Sequence, residues 1–382
     1  MNKLYDIIGI PFGYLMSWIY SFVGNYAVAI VLFTLVTKII LFPVNYKTQK
    51  SAARTRLLNP KIEKLKKSYS NNPTKLQEEQ QKLYQQEGIN PMASCLPSIV
   101  QMLLLFGVLD VVYKPLTHIL HFKESVRSTF ISAASALLEG KGKEGIRMTD
   151  LRCELRAMEQ LGAEGTEKFS SVGSDILNKI TEFSDKFTLF GANLGKTPEF
   201  KPEVWNKESI ILFLIPIFAG LAQLLYTIYT QIYQKKQNPD MANMGCMNVM
   251  FYLMPIMSVV FAYQVPAGVG FYWIWSSVFS FIITFGLNIY FNDERTKIIN
   301  EKEKEKARIY AEKHPEKKTF MQRMLEQQQM LEQQQNGGTA KKNSDGKLSR
   351  SEMNKYNRDK LAEARKRMAE KYGDDYEDNN ED

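Results

Sequence analysis

The sequence has 382 residues, of which 45% are hydrophobic and 24% charged, with 49 Lys and Arg against 41 Asp and Glu. Its mean hydropathy of −0.28 is that of an ordinary soluble protein. That average hides an uneven distribution of charge. Residues 241–292 are a run of 52 without Asp, Glu, Lys or Arg. The 91 residues from position 292 onward hold 41 of the 90 charged side chains. Because a membrane span needs about 20 mostly apolar residues, this distribution argues against a purely soluble protein with a single core.

The N-terminal segment, residues 4–24, is apolar, but Gly9, Pro11 and Gly13 interrupt it. Its Tyr and Trp residues are of the kind that favours the headgroup layer. We interpret residues 1–25 as an interfacial helix that lies along the membrane. It is not expected to be a sixth span or a cleavable signal peptide, since no small-residue cleavage site separates it from the next apolar segment.

Five apolar segments follow and predict an all-α membrane protein with five transmembrane helices. The fourth and fifth share the charge-free run, and Pro and Gly residues turn the chain tightly between them. The predicted spans are, in chain order, residues 27–44, 92–113 and 209–234 and the two segments on either side of Pro266, Ala267 and Gly268.

The orientation follows from the basic residues, which concentrate in cytoplasmic loops. Residues 45–90 hold ten Lys or Arg against four Glu, and residues 292–371 hold 21 basic against 14 acidic side chains, whereas residues 114–208 have 14 of each sign. We therefore expect a multi-pass protein of the plasma (inner) membrane, with its N-terminus outside and its C-terminus in the cytoplasm. The predicted parts are an interfacial helix (1–25), two spans enclosing a cytoplasmic hairpin (26–113), an extracytoplasmic helical connection (114–208), three spans (209–291) and a basic tail (292–382).

The cytoplasmic loop, about residues 47–90, predicts a helical hairpin with a break at residues 70–73. Its apolar residues recur at spacings of three to four and form narrow stripes. Either the two helices only pack on each other, or their broad polar faces bind a partner. The apolar positions singled out for this hairpin are Ile62, Leu65, Leu76 and Leu83.

The extracytoplasmic connection predicts a small helical subdomain at about residues 125–190, with a flexible joint at residues 140–145. Its apolar positions include Leu151, Leu155, Met158 and Leu161. In the tail, residues 324–335 repeat the unit MLEQQQ twice. The composition of the tail cannot bury a core, so we expect it to be helical or disordered.

Lys38 is the one charged residue in the first predicted span. At 1.5 Å of rise per residue, its Cα lies roughly 10 Å inside the cytoplasmic boundary. Its ammonium group either snorkels to the headgroups or faces a water-filled cavity. No acidic residue deep in a span can neutralise it, and Asp110 is expected near the opposite membrane face. Polar residues of the spans favour the cavity, and the predicted groove consists of Lys38, Thr34, Gln101, Gln223, Thr227 and Ser276.

Catalytic, cofactor and metal sites are not expected. The chain shows no nucleophile with a base, no carboxylate pair and no phosphate loop. Cys95, Cys153 and Cys246 are far apart and form no CxxC pair, so we expect neither a disulfide nor a zinc site. His118 and His121 could bind a metal on a helix, but no third ligand is visible, and the alternative is a pair of interfacial histidines.

Four segments together resemble the YidC family of membrane protein insertases, which includes mitochondrial and thylakoid relatives. The resemblance extends over about residues 17–291, apart from an outer connection that is longer by roughly 60 residues. The segments are WIYSFVGNYAVAIVLFTLVTKIILFPV from Trp18, NPKIEKLKK from Asn59, GINPMASCLPSIVQM from Gly88 and VPAGVGFYWIWSS from Val265.

The resemblance implies that Lys38 takes the position of a positive residue, usually Arg, in a hydrophilic groove open to the cytoplasm and to lipid. Lys keeps the charge but replaces the planar fork of Arg with a flexible point charge. The hairpin would then receive substrate, and the basic tail would contact ribosomes.

The expected function is that of a membrane protein insertase or chaperone that moves short polar extracytoplasmic segments across the bilayer through the groove. Its expected partners are nascent membrane proteins, lipid, the ribosome and a secretion channel. One alternative is a small-anion transporter or channel, although an odd number of spans does not give the repeated halves usual in transporters. The other is a membrane assembly scaffold, which would be indifferent to the charge at position 38.

Overall fold

The computed structural model describes residues 2–89, 96–237 and 245–313, and the side chains of most of them. The first compact unit of the chain extends to Tyr310. The MLEQQQ repeats and the acidic C-terminal end lie outside the described residues. The regular secondary structure of the described residues is helical, except for one short β-hairpin at residues 188–193.

The N-terminal helix predicted from the sequence is present as α1 (Asn2–Val23), which is continuous through Gly9, Pro11 and Gly13. The two glycines serve helix packing. An added Cβ would lie 2.0 Å from Oδ2 of Asp110 at Gly9 and 2.3 Å from Nδ1 of His118 at Gly13. Only a residue without a side chain permits so close an approach.

Helix α1 runs antiparallel to α2 (Tyr26–Ile40). Gly24, with a φ of 68°, turns the chain between them. Ring contacts join Phe12 to Phe33, with centroids 5.9 Å apart, and Tyr20 to Tyr26, with centroids 6.3 Å apart. Helix α1 therefore packs alongside the bundle, and its interfacial position stays a prediction.

The first predicted span is two helices. Helix α2 begins after Asn25, whose side chain accepts a hydrogen bond from the backbone N–H of Val28, and ends at Ile40. The chain then bends by 54° into α3 (Phe42–Leu57). The sequence placed the end of the span at Val44, whereas the bend lies at Leu41, ahead of Pro43. Proline is tolerated in the first turn of a helix, so Pro43 starts α3 rather than ending α2.

The other apolar helices are α6 (Leu96–Tyr113), α11 (Lys207–Gln237), α12 (Gly245–Ala262) and α13 (Ala267–Tyr290). Among the described residues, two helices are long and apolar enough to cross a membrane, Lys207–Lys235 and Ala267–Tyr290, and the bent pair of α2 and α3 would be a third. Shorter apolar helices occur at Ile99–Tyr113 and Leu253–Ala262. The tight turn predicted between α12 and α13 is present, with Pro266 at the N-cap of α13.

The cytoplasmic hairpin consists of α4 (Asn59–Ser68) and α5 (Pro73–Gln86), and it starts later than predicted because the residues up to Leu57 belong to α3. Ile62 is buried with Leu58 and Ile89, and Leu83 packs against this cluster. Leu65 and Leu76 are half-buried. Helix α14 (Asp293–Lys313) follows α13 and packs near the end of the hairpin, where Lys304 pairs with Glu87.

The extracytoplasmic connection holds the predicted helical subdomain and one antiparallel β-hairpin, so the all-α prediction fails at that hairpin. Leu155, Met158 and Leu161 are buried, but Leu151 is 43% exposed. The elements are α7 (Pro115–His118), α8 (Glu124–Glu139), α9 (Cys153–Glu164), a 3₁₀ turn (Thr166–Phe169), α10 (Ser174–Lys186), β1 (Thr188–Leu189) and β2 (Ala192–Asn193).

The connection shares one core with the adjoining ends of α1, α2, α6 and α13. The ring of Tyr26 in α2 lies 4.2 Å from that of Phe187. The backbone N–H of Gly268 in α13 donates to the carbonyl of Leu194 at 2.8 Å. Since a helix leaves its first N–H groups without intrahelical partners, this bond caps α13 with a segment of the connection.

Candidate functional site

Lys38 lies in the last turn of α2, beside the bend. Its side chain is 5% exposed. Its Nζ donates to Oγ of Ser280 in α13 at 2.8 Å and to Oε1 of Gln101 in α6 at 3.4 Å. None of the ion pairs formed among the described residues involves Lys38. Its positive charge is therefore held by neutral dipoles from two other helices.

A cavity of about 630 Å³ surrounds this ammonium group. Helices α2, α3, α6, α11, α12 and α13 all contribute to its wall. Oγ of Ser277 donates to Oε1 of Gln223 at 3.0 Å across it. A cavity of this size with several polar groups can hold water. Its polar lining consists of Lys38, Asn45, Gln101, Gln223, Tyr226, Ser258, Ser276, Ser277 and Ser280.

Four of the six predicted groove residues line this cavity, namely Lys38, Gln101, Gln223 and Ser276. Thr34 and Thr227 do not belong to its lining, and both side chains are buried. The hydroxyl of Thr34 donates to the carbonyl of Ile30, one turn earlier in α2, at 2.6 Å. Such a bond satisfies a threonine within its own helix, which an apolar sequence context does not reveal.

Ser280 contacts Lys38 directly, and our sequence analysis missed it. A signal was present, because Ser276 and Ser280 are four residues apart and therefore share a face of α13. Asn45 was also missed, since it follows the predicted span. The bend at Leu41 places the start of α3, and Asn45 with it, at the cavity.

A second cavity of about 390 Å³ adjoins the first and shares Asn45, Tyr226 and Ser280 with it. It follows one face of α3 from Asn45 to Arg56 and Asn59, opposite α11 and α13. Its wall includes a chain of amide contacts, in which Nε2 of Gln49 donates to Oδ1 of Asn288 at 2.6 Å. Because the two cavities share lining residues, they are neighbours along α3, and we refer to them together as the groove.

The ionisable residues where α6 leads into the connection are paired with one another instead. Oδ2 of Asp110 lies 2.7 Å from Nε2 of His118, and its Oδ1 lies 2.7 Å from Nζ of Lys114. His121 bonds to Ser17 at 3.0 Å. The two histidines thus have different partners, and no group of three His, Cys, Asp or Glu that could hold a metal occurs among the described residues.

Glu154 closes a second buried network in the connection. It is fully buried and accepts hydrogen bonds from the backbone N–H groups of Leu116 and Thr117, at 2.7 and 3.1 Å. Arg127 pairs with it at 3.1 Å. Nearby, burial raises the pKa of the Cys153 thiol to about 11, which leaves it protonated and unreactive at neutral pH. These groups hold the fold and present no open site.

The fold and the groove define the class of this protein, a helical multi-pass membrane protein with a polar cavity around a buried cation. The sequence model of the family described as "60Kd inner membrane protein" matches residues 18–294. The chain belongs to this family, as the resemblance in the sequence predicted.

Relatives named "Membrane protein insertase YidC" share parts of the chain. The protein of Granulibacter bethesdensis is 40% identical over 103 residues, which cover 27% of this chain and 18% of the relative. That of Wolinella succinogenes is 42% identical over 103 residues, with coverages of 27% and 19%. That of Pelodictyon phaeoclathratiforme is 25% identical over 272 residues, with coverages of 71% and 34%. The match spans about a third or less of the length of each of these relatives.

Proposed function

We propose that this protein is a membrane protein insertase and chaperone that moves short polar extracytoplasmic segments of nascent membrane proteins across the bilayer. The observation that carries the proposal is the ammonium group of Lys38, buried in a polar cavity with neutral partners only. An ionised group inside a membrane protein needs water or an anionic partner, and a groove provides access for both.

In this proposal the chain crosses the membrane five times, through the bent pair of α2 and α3 and through α6, α11, α12 and α13. The hairpin of α4 and α5 and the tail lie in the cytoplasm, and the connection at residues 114–208 lies outside. The excess of basic residues in residues 45–90 supports this orientation. The bend at Leu41 supports a cytoplasmic position for the end of α3, since α3 can leave the bilayer at an angle while α2 remains within the bilayer.

The proposed transfer begins with a polar segment, often acidic, that enters the groove from the cytoplasm. Each unsatisfied polar group would cost several kcal/mol in hydrocarbon. Groups lining the groove, such as Gln101, Gln223 and Ser276, solvate the segment partway, and Lys38 attracts its carboxylates. A thinned outer leaflet and the membrane potential help to complete the crossing. The apolar helix of the substrate moves sideways into lipid against α11 and α13, and no covalent step is needed.

The hairpin and the tail have separate proposed roles. The polar faces of α4 and α5 receive the substrate, and the basic tail contacts the ribosome through phosphate charge, a contact that weakens steeply with salt. The protein would work beside a secretion channel or alone. Packing between α14 and the hairpin, through the ion pair of Lys304 with Glu87 at 3.2 Å, connects these two cytoplasmic parts.

The substitution Lys38→Ala tests the function in proteoliposomes. We expect insertion of a single-span substrate with an acidic N-terminal segment to fall by about tenfold or more, because a charge-assisted contact is lost. When Asn replaces each Asp of this substrate, the native protein and Lys38→Ala should insert it at the same rate. Lys179→Ala, which removes a charge from the exposed face of α10, away from the groove and the hairpin, is the matched control.

Two results would contradict the proposal. Equal insertion by the native protein and Lys38→Ala, with both substrates, would indicate a scaffold. Chloride flux through the native protein that disappears in Lys38→Ala, without any insertion activity, would indicate an anion transporter.

A further inference from the structure

Arg56 lines the second cavity, at the far end of the groove from Lys38. We propose that Arg56 is a carboxylate-binding residue at the cytoplasmic mouth of the groove, which holds an acidic side chain of the substrate before that side chain reaches Lys38. This inference rests on the proposed function and assigns a role to a second cation. It divides the recognition of acidic segments into a capture step and a transfer step.

The guanidinium group of Arg56 is held by neutral acceptors. Its Nη1 donates to the hydroxyl of Tyr233 at 2.7 Å, and its Nη2 donates to the carbonyl of Phe291 at 3.3 Å. It also lies 5.1 Å from the centre of the Tyr233 ring. None of the ion pairs among the described residues involves Arg56. These contacts orient the planar group and leave its charge uncompensated.

Arg54, two residues earlier, shows the contrasting arrangement. It is 6% exposed, and its guanidinium donates to Oδ1 of Asn300 and to the backbone carbonyls of Glu87 and Gly88. These bonds join α3 to α14 and to the end of the hairpin. Arg54 is therefore a structural arginine, whereas two of the five N–H donors of Arg56 are used in its two bonds and its side chain borders a cavity.

The surroundings of Arg56 suit a polypeptide. Most lining residues carry amides or hydroxyls, and the apolar ones among those described are Ala52, Ala53, Ile283 and Leu287. A peptide backbone needs hydrogen-bond partners, and these amides and hydroxyls can supply them. A planar guanidinium also binds a carboxylate through two parallel bonds, which a lysine cannot do. The fork that is absent at position 38 is thus present at the mouth of the same groove.

The length of α3 between the cavity around Lys38 and Arg56 fits an extended segment. Asn45, which lines both cavities, and Arg56 are eleven residues apart in α3, so they lie about 16 Å apart along the helix axis. An extended chain covers that distance in about five residues. A substrate segment of about that length can therefore extend along α3 from Arg56 to the cavity that surrounds Lys38.

The experiment measures insertion by Arg56→Gln and Arg56→Lys in proteoliposomes, over a range of substrate concentrations. The substrates are the acidic single-span protein and its Asp→Asn version. With the acidic substrate, we expect Arg56→Gln to raise the half-saturating concentration by about tenfold and to leave the saturating rate unchanged. Arg56→Lys should recover only part of this loss, and the Asp→Asn substrate should show no difference between the variants.

Lys38→Ala, assayed in parallel, separates this inference from the proposed function. If Lys38→Ala slows the acidic substrate and Arg56→Gln does not, the role of Arg56 is wrong and the groove stands. If neither variant affects it, the proposed function fails. If Arg56→Gln impairs both substrates equally, Arg56 acts on the structure or on a lipid phosphate, and the inference is overturned. Comparing the unfolding temperature of Arg56→Gln with that of the native protein then separates these two explanations.

Discussion

Lys38 and Asp110 are both buried charges in apolar helices, and the protein treats them in opposite ways. Lys38 contacts a hydroxyl and an amide, and a cavity of about 630 Å³ lies beside it. Asp110 is 1% exposed and has two partners, the ammonium group of Lys114 and the ring of His118. Around the first charge there is space, whereas around the second not even a methyl group fits at Gly9.

The difference separates a charge that holds the fold from one that is available for function. A buried ion pair costs desolvation energy to form. Removing one partner leaves the other charge uncompensated, so such a substitution strongly destabilises the protein. A buried cation with neutral partners is costly in the resting protein and gains most from an arriving anion. Glu154 resembles Asp110, because Arg127 pairs with it. Arg56 resembles Lys38, because its hydrogen-bond acceptors are neutral.

The largest expected effect comes from breaking a paired charge. Glu154→Ala should lower the free energy of unfolding by about 3–5 kcal/mol, because it leaves two buried N–H groups and the charge of Arg127 without a partner. Lys38→Met should leave stability unchanged or raise it, since it removes an unpaired charge. Denaturant titration in detergent micelles measures both.

The matched control is Glu167→Ala, which removes an exposed carboxylate from the same subdomain and should change stability by less than about 0.5 kcal/mol. Equal destabilisation by Glu154→Ala and Lys38→Met would show that the two kinds of buried charge are not distinct.

A smaller effect tests the packing around the paired charges. Gly13→Ala should cost about 1–3 kcal/mol, because the new methyl group would overlap Nδ1 of His118, which is only 2.3 Å from its ideal position. Gly162→Ala in α9, where nothing lies within 4 Å of an added Cβ, should stabilise the protein by about 0.5–1 kcal/mol. Thermal unfolding of the two variants gives the sign directly, and a stabilising Gly13→Ala would mean that α1 does not pack tightly there.

The sequence was informative where a residue contrasts with its surroundings. Lys38, Gln101, Gln223 and Ser276 are polar residues in apolar runs, and all four line the cavity. The turn at Pro266 and the two hairpin helices were also predictable, because proline and the break at residues 70–73 are local signals. Membership of the family followed from four segments in their order.

What the sequence concealed depends on contacts between distant segments. Nothing local indicates that Gly9 and Gly13 accommodate Asp110 and His118 rather than interrupt a helix. Thr34 was predicted in the groove because it lies four residues before Lys38 and shares a helix face with it, but its hydroxyl bonds to the carbonyl of Ile30 in its own helix. The bend at Leu41 was missed because Pro43 can either end or begin a helix. It also determines which face of α3 borders the groove.

The smallest expected effect concerns Glu87, a paired carboxylate at the edge of the protein. Its side chain is 6% exposed and bonds to Nζ of Lys61 at 2.7 Å and to Nζ of Lys304 at 3.2 Å, while both lysines are more than half exposed. Burial alone would raise the pKa of Glu87, but the two lysines outweigh it and lower the pKa below its ordinary value. Glu87→Gln should therefore lower stability at pH 7 by only about 0.5–1 kcal/mol.

The pH dependence of this effect has a definite sign. Because the folded pKa of Glu87 lies below the unfolded value of about 4.3, its contribution is complete above that value and is lost as the pH falls through the folded pKa. The stabilities of the native protein and Glu87→Gln should thus differ at pH 7 and converge as the pH falls through the lowered folded pKa of Glu87. Glu63→Gln in α4 is the control and should run parallel to the native protein. If the stability difference persists in acid, the side-chain packing of Glu87 and not its charge stabilises the protein, because only the ionised carboxylate attracts the two lysines.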